Sequence, residues 1–273
     1  MLDGINGILQ CFADSQQSVD VIGEWELDNP ALRYKLIVVP EWSELSCKDK
    51  LLAFAENGGN LLIIGSDATK LFEKELGVSI TDTVKQKRVF IGDKYDYCSF
   101  GELSDINEVK VLTAVAAENA FLNSDFSDIH TALTVNGLGK GKIAGIYFDI
   151  GQQYTSGRTA GACDFIKRTV SKLLQKPELT VIGSRNIEVA LRRNCGKKEV
   201  VLLNCSGPHS DPNTFTYDEL LPICDITVKV KTESKPEKVV RQPENLQLDF
   251  EWDGEYTAVM LEKLEIMSVI TLD

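Results

Sequence analysis

The sequence predicts an α/β domain followed by an all-β domain. Two observations predict it. Over the first two thirds of the 273 residues, short continuous apolar runs alternate with amphipathic stretches of helical period, as in strand–helix–strand units. After Pro177 the helical period stops, and short segments alternate apolar with polar residues between turn signals, as in an antiparallel sandwich. The boundary falls near residue 178, giving domains 1–178 and 179–273.

"GINGILQCFADSQ" (4–16) has helical character and "VDVI" (19–22) reads as a strand. "YKLIVVP" (34–40) is a continuous apolar run closed by Pro40, the pattern of a parallel strand covered on both faces. In "SCKDKLLAFAENGG" (46–59), Ser46 and Asp49 have capping-box spacing, and Leu51, Leu52, Phe54 and Ala55 form the buried stripe. Gly58 and Gly59 end that helix, because glycine enters the left-handed conformation without steric cost. "NLLIIG" (60–65) is the next strand. "DATKLFEKELG" (67–77) is the next helix, with Leu71, Phe72 and Leu76 inward and Gly77 past its end. This β-α-β-α order, with right-handed crossovers, predicts a mostly parallel sheet with helices on both faces.

Between 84 and 135 the segments "KRVFIG", "VKVLTAV" and "HTALTV" read as strands. "GLGKGK" (137–142) lacks the spacing of a phosphate loop and leads into the strand "IAGIYFDIG", so it reads as a glycine-rich hairpin. "TAGACDFIKRTVSKLLQK" (159–176) is a helix with Phe165, Ile166, Val170, Leu173 and Leu174 on one face. In the second domain, Ile187, Val189 and Leu191 share a face, as do Ile226, Val228 and Val230. "LQLDFEW" (246–252) reads as one alternating strand turned by Asp253-Gly254 into "YTAVML". "EVVLLN", "EKVVRQ" and "EIMSVITL" complete the strands.

Composition narrows the function. With 29 Lys and Arg against 41 Asp and Glu, the formal net charge is −12, which argues against nucleic acid as a partner. No apolar run approaches the roughly 20 residues of a membrane-spanning helix, and the opening lacks a basic signal-peptide start. In "ILQC", Gln10 is too large for a lipid-attachment box. Seven cysteines with no CxxC pair predict mostly buried free thiols, no metal site, and a lean toward a reducing, cytoplasmic setting.

The quoted elements together resemble a known family. "YKLIVVPEWSELSCKDKLLAFAENGGNLLIIG" (34–65), the later "GKGKIAGIYFDIGQQY" and the tail opening "NIEVALRRNCGKKEVVLLNCSG" are similar to a class I glutamine-amidotransferase-like domain of the β-galactosidase trimerisation type. That domain lies behind the catalytic barrel of family 42-type β-galactosidases and related glycosyl hydrolases, with a C-terminal sandwich after it. The resemblance implies a flavodoxin-like α/β domain, then a small antiparallel β-sandwich. It also implies an accessory or oligomerisation role without a cofactor. The partners it implies are an upstream catalytic barrel of the same polypeptide and other copies of the chain. The absence of a strand before the first helix is read as truncation of a longer polypeptide.

True amidotransferases carry a nucleophilic cysteine in the turn after the "NLLIIG"-type strand. Here that turn is Gly65-Ser66-Asp67, with Gly65 roughly at the cysteine position. If a hydrolase site exists, its candidates are Ser66, Asp67 and His130; the competing reading has Ser66 or Asp67 capping the next helix. The other histidine, His209, lies in the second domain. Glu24, Glu26, Glu41 and Glu44 cluster near Trp25 and Trp42, which raises the question of paired carboxylates beside an aromatic ring. Trp25, Trp42 and Glu41 are the candidates for contact with a sugar, and Trp252 is a further candidate stacking platform in a carbohydrate-binding reading.

Overall fold

A computed structural model describes residues 2–29, 33–42, 44–92, 97–99 (backbone), 103–207 and 220–273. Contacts gather the chain into two units, Met1–Cys11 with Val21–Gln175, and Phe12–Asp20 with Lys176–Asp273.

The first unit carries helix α1 (Leu2–Asp14), whose last residues belong to the second unit, then β1 (Leu36–Val39), α2 (Lys48–Glu56), β2 (Asn60–Ile64) and α3 (Ser66–Leu71). Six further strands follow: β3 (Val78–Lys87), β4 (Phe90–Gly92), β5 (Tyr97–Ser99), β6 (Ser104–Val111), β7 (Val115–Phe121) and β8 (Ile129–Leu138). β9 (Gly141–Ile146), α4 (Ile150–Ser156) and α5 (Ala160–Leu173) complete it.

Seven strands form one mixed sheet in the order β1-β2-β9-β8-β7-β4-β5, while β3 and β6 pair separately. β1–β2 and β2–β9 are parallel; β9–β8, β8–β7, β7–β4 and β4–β5 are antiparallel. The expectation of a mostly parallel sheet is corrected on this point. A parallel neighbour needs a crossover of a dozen residues or more. β7, β8 and β9 follow one another through connections too short for one, so they fold back as a meander. The β8–β9 connection is the hairpin read from "GLGKGK", with Gly139 at φ +59 between Leu138 and Gly141, which pair directly.

β2 and β9 are deeply buried, whereas β1, at the sheet edge, alternates buried with half-buried residues and is not covered on both faces as expected. Leu61, Leu62, Ile63 and Ile64 of β2 have no solvent exposure, and Ile143, Ala144 and Ile146 of β9 have none either. Leu51 and Ala55 of α2, then Phe72 and Leu76 after α3, pack into the same core. Leu71 is partly exposed, because α3 ends there and the chain continues as turns to Gly77 (φ +68) rather than as the longer helix expected. Residues 19–22 are irregular rather than a strand. The expected capping box is also absent: Ser46 donates its hydroxyl to the Glu24 carboxylate, and α2 begins after Cys47 without a side-chain cap. α5 follows the sequence reading more closely, with Thr159 accepting from the Ala162 N–H and Phe165, Ile166, Val170 and Leu173 buried.

The second unit contains β10 (Leu179–Ile182), β11 (Ile187–Asn194), β12 (Lys197–Asn204), β13 (Ile223–Lys231), β14 (Val239–Gln242), β15 (Leu246–Leu248), β16 (Phe250–Trp252), β17 (Tyr256–Leu264) and β18 (Met267–Leu272). They form two antiparallel sheets, β10-β13-β17-β16 and β11-β12-β18-β14-β15. Val181, Ile226, Val228, Val230, Val259 and Leu261 from one sheet share a core with Ile187, Val189, Val200, Leu202, Val239, Ile270 and Leu272 from the other. The single strand read at 246–252 is in fact two: the chain leaves one sheet at Leu248 and enters the other at Phe250, so Leu246 and Trp252 stay partly exposed. The Asp253-Gly254 turn holds, with the Asp253 carboxylate accepting from the Glu255 and Tyr256 N–H groups.

The described thiols are less buried than expected; the side chain of Cys98 lies outside the described residues. Cys11, Cys47 and Cys163 are buried, Cys205 is half-buried, and Cys195 and Cys224 are exposed. Cys195 occupies the tip of the β11–β12 hairpin at φ +49, where no core is available to cover it.

Because β2 is the middle of the parallel trio and Leu62 is wholly enclosed, Leu62→Ala is expected to lower stability by about 3 kcal/mol, read as a fall in the urea midpoint.

Candidate functional site

The ends of β1, β2 and β9 point the same way, and the residues just beyond them meet. In open α/β sheets this is the edge at which ligands bind. Glu41 follows β1 after Pro40, Gly65-Ser66 follows β2, and Asp149 follows β9 after the buried Tyr147 and Phe148.

The two acids cap each other's neighbouring helices. The Glu41 carboxylate accepts from the N–H of Gly151 (2.5 Å) and of Gln152 (3.2 Å), in the first turn of α4. The Asp149 carboxylate accepts from the Ser66 N–H (2.7 Å) and from the Ser66 hydroxyl (3.2 Å), at the start of α3. Helix N-termini leave backbone donors without intrahelical partners, and a carboxylate satisfies them well. The expected self-cap by Ser66 or Asp67 is corrected: α3 has no such cap, Asp149 supplies the acceptor, and Asp67 sits exposed in an ion pair with Lys70.

Burial acts on both acids. It is the largest cause of the rise of Glu41 to about 8, with the Asp149 charge adding to it and the two backbone hydrogen bonds opposing it. Burial likewise raises Asp149, against the hydrogen bonds from Ser66. Glycines make this packing possible. Gly65 has φ +110, and a Cβ there would come 2.8 Å from Glu41 Cγ and 3.1 Å from Asp149 Oδ1. A Cβ on Gly4 of α1 would strike the Glu41 carboxylate, and one on Gly7 would strike the Gly151 carbonyl. The position where a nucleophile would stand is therefore filled from both sides by acids.

Asn107 of β6 holds the corner from beneath. It is fully buried; its amide donates to the Ser66 carbonyl (2.6 Å) and to Thr69 Oγ1 (3.0 Å), and its oxygen accepts from the Thr83 hydroxyl (2.8 Å). Ser66 is only 5% exposed. An acid thus reaches its hydroxyl, but the imidazole does not: His130 is engaged by Asp128 (2.9 Å) and lies 3.8 Å from Glu108. His209 lies outside the described residues. The Cys47 thiol is pushed up to about 11, first by burial and then by the Glu24 carboxylate, which suppresses the reactive thiolate.

The acids grouped with the tryptophans do not converge. Glu24 accepts from Ser46, Glu26 from Asn29, and Glu41 alone enters the corner. Trp25 is 76% exposed in the 3-10 turn Glu24–Asp28, while the Trp42 indole N–H donates to the Glu44 carbonyl. Among the described residues no cluster of three or more His, Cys, Asp or Glu could hold a metal, and no helix is long and apolar enough to cross a membrane.

Beside the corner opens a cleft of about 550 Å³, lined in part by Gln86, Ser104, Asp105, Asp149 and Gln153. Asp149, Asn107 and Gln153 were not singled out from the sequence. A signal existed for Asp149, an acid just past the apolar run "IAGIYF", as Glu41 is an acid just past the run that forms β1. Nothing local marks Asn107, whose partners come from 24 to 41 residues away.

No protein-family model and no curated protein matches the chain. Solved structures do share the fold. The α-L-fucosidase isoenzyme 2 from Paenibacillus thiaminolyticus superposes with a TM-score of 0.80 at 13% identity, over 99% of this chain and 45% of that one. Gan42B, a GH42 β-galactosidase from G. stearothermophilus, gives 0.60 at 18% identity, over 97% of this chain and 35% of that one. The β-galactosidase from Bacillus circulans sp. alkalophilus gives 0.58 at 12% identity, over 100% and 37%. The chain therefore has the fold of a segment of these glycoside hydrolases and spans less than half the length of each.

Two outcomes are expected. A raised carboxyl binds its proton more tightly in the folded chain, so Glu41's contribution is fully present below its ordinary 4.5 and is lost as pH rises through about 8. Urea stability should fall across that window by on the order of a few kcal/mol, and Glu41→Gln should flatten the dependence. Gly65→Ala, which combines positive φ with contact against Glu41, should cost about 2–4 kcal/mol and lower the melting temperature without unfolding the second unit.

Proposed function

We propose that this chain is a non-catalytic accessory region of a glycoside hydrolase. In this reading the first unit is an amidotransferase-like, flavodoxin-related domain of the trimerisation type. The second is a bracing β-sandwich, and the boundary between them is near residue 178. A catalytic barrel elsewhere in the same polypeptide and further copies of the chain are its partners.

The observation that carries the reading is the filled corner after β2. Gly65 has no room for a side chain, and the Ser66 hydroxyl is bound to Asp149 with no imidazole beside it among the described residues. Likeness to the glycoside hydrolases over nearly the whole chain supports it further. The amidotransferase-like hydrolase reading with Ser66, Asp67 and His130 has no such support, since the three have separate partners.

Light scattering on the purified chain is expected to show self-association, and nitrophenyl galactosides, fucosides and simple esters are expected to pass unhydrolysed. A strictly monomeric chain would remove the oligomerisation role. A hydrolysis abolished by Ser66→Ala would overturn the non-catalytic assignment.

A further inference from the structure

The cleft beside the corner contains a polar group with nothing to bond. Gln153, in α4, is 1% exposed and lines the cleft, yet neither its amide nitrogen nor its carbonyl oxygen has a hydrogen-bond partner among the described residues. Its neighbours are satisfied. Ser104 Oγ accepts from the Asp149 N–H and donates to the Asp105 carbonyl. The Asp105 carboxylate accepts from Lys85 and from the backbone and side chain of Gln86. Leaving a buried amide unmatched is destabilising, so a group that is present only part of the time is the natural complement.

The lining decides what that group is. Two carboxylates, Asp105 and Asp149, oppose an anion. Among the described lining residues an apolar ligand finds only Leu103, itself half-exposed. A cation has no lone pair with which to accept, so it leaves the Gln153 N–H groups unmatched, and the Arg88 guanidinium at the exposed rim opposes it. A hydroxyl group both donates and accepts. It can answer both ends of the carboxamide while neighbouring hydroxyls donate to Asp149 and Asp105. The cleft volume of about 550 Å³ lies within the range of small-molecule sites.

We propose that this cleft is a binding site for a neutral, hydroxyl-rich small molecule, a free monosaccharide or polyol, with Gln153 and Asp149 as its principal contacts and Arg88 at its rim. The proposal does not depend on the accessory role: a chain that self-associates without hydrolysing anything can still fill this cleft, and the converse also holds.

Isothermal titration of the full chain with D-galactose, L-fucose and D-mannitol tests it, with tetramethylammonium and inorganic phosphate as charged controls. Saturable binding of at least one neutral probe is expected, with Kd near the millimolar range (about 1 mM). Gln153→Met removes the unmatched amide at similar volume. It should weaken binding about tenfold or more while melting no lower than the parent chain, a pairing that a purely structural glutamine would not produce. Arg88→Ala, at the surface, should weaken binding severalfold and serves if the first variant does not fold. Failure of all three neutral probes to bind, binding of either charged control instead, or unchanged affinity in the variants would overturn the proposal.

Discussion

The carboxylates of Glu41 and Asp149, each reaching across to the helix that follows another strand of the parallel trio, organise the first unit. Glu41 leaves β1 and closes the first turn of α4; Asp149 leaves β9 and closes the start of α3. Three parallel strands are thereby tied at their ends as well as along their backbone ladders. Both acids are drawn from water to make these bonds, which is why both are raised. The backbone donors at the two helix starts offset that desolvation, because those N–H groups would otherwise lack partners. The arrangement requires close approach, and Gly4, Gly7, Gly65 and Gly151 provide it: a side chain at any of them would strike the acids or the opposing backbone.

This constraint also bears on chemistry. A sharp strand-to-helix turn is a place where some folds expose a nucleophile. Here the same turn is enclosed. Asn107 holds its carbonyl, Asp149 holds its amide and hydroxyl, and Glu41 lies against its glycine. The groups serve folding, and the space beside them remains open as a polar cleft. The corner is thus taken up by structural hydrogen bonds, while the strand-end edge beside it stays open to solvent as a cleft.

Much of the architecture was legible in the sequence, because it rests on local rules. The apolar run 36–39, the enclosed run 61–64, the Gly139 hairpin, the Thr159-capped helix and the alternating Ile226, Val228 and Val230 each carry their own signal within a few residues. Other outcomes depend on partners that the local segment does not mark: Ser46 turns to Glu24 instead of capping α2, and residues 246–252 divide because Leu248 pairs with β14 and Phe250 with β17.

The same division holds for the site. By itself the sequence determined that a glycine-led corner follows the central strand, that acids stand at strand ends, and that the chain is too acidic to suit a phosphate backbone. Only the tertiary structure decided that Glu41 and Asp149 meet there, that Asn107 supports them from β6, and that Gln153 is sealed beside a cleft without a hydrogen-bond partner among the described residues. The physical reason is separation along the chain. Local pattern reports which face of an element is apolar, but Glu41 and the Gly151 amide it accepts from are 110 positions apart, and a hydrogen bond over that span exists only once the sheet has set the order of its strands.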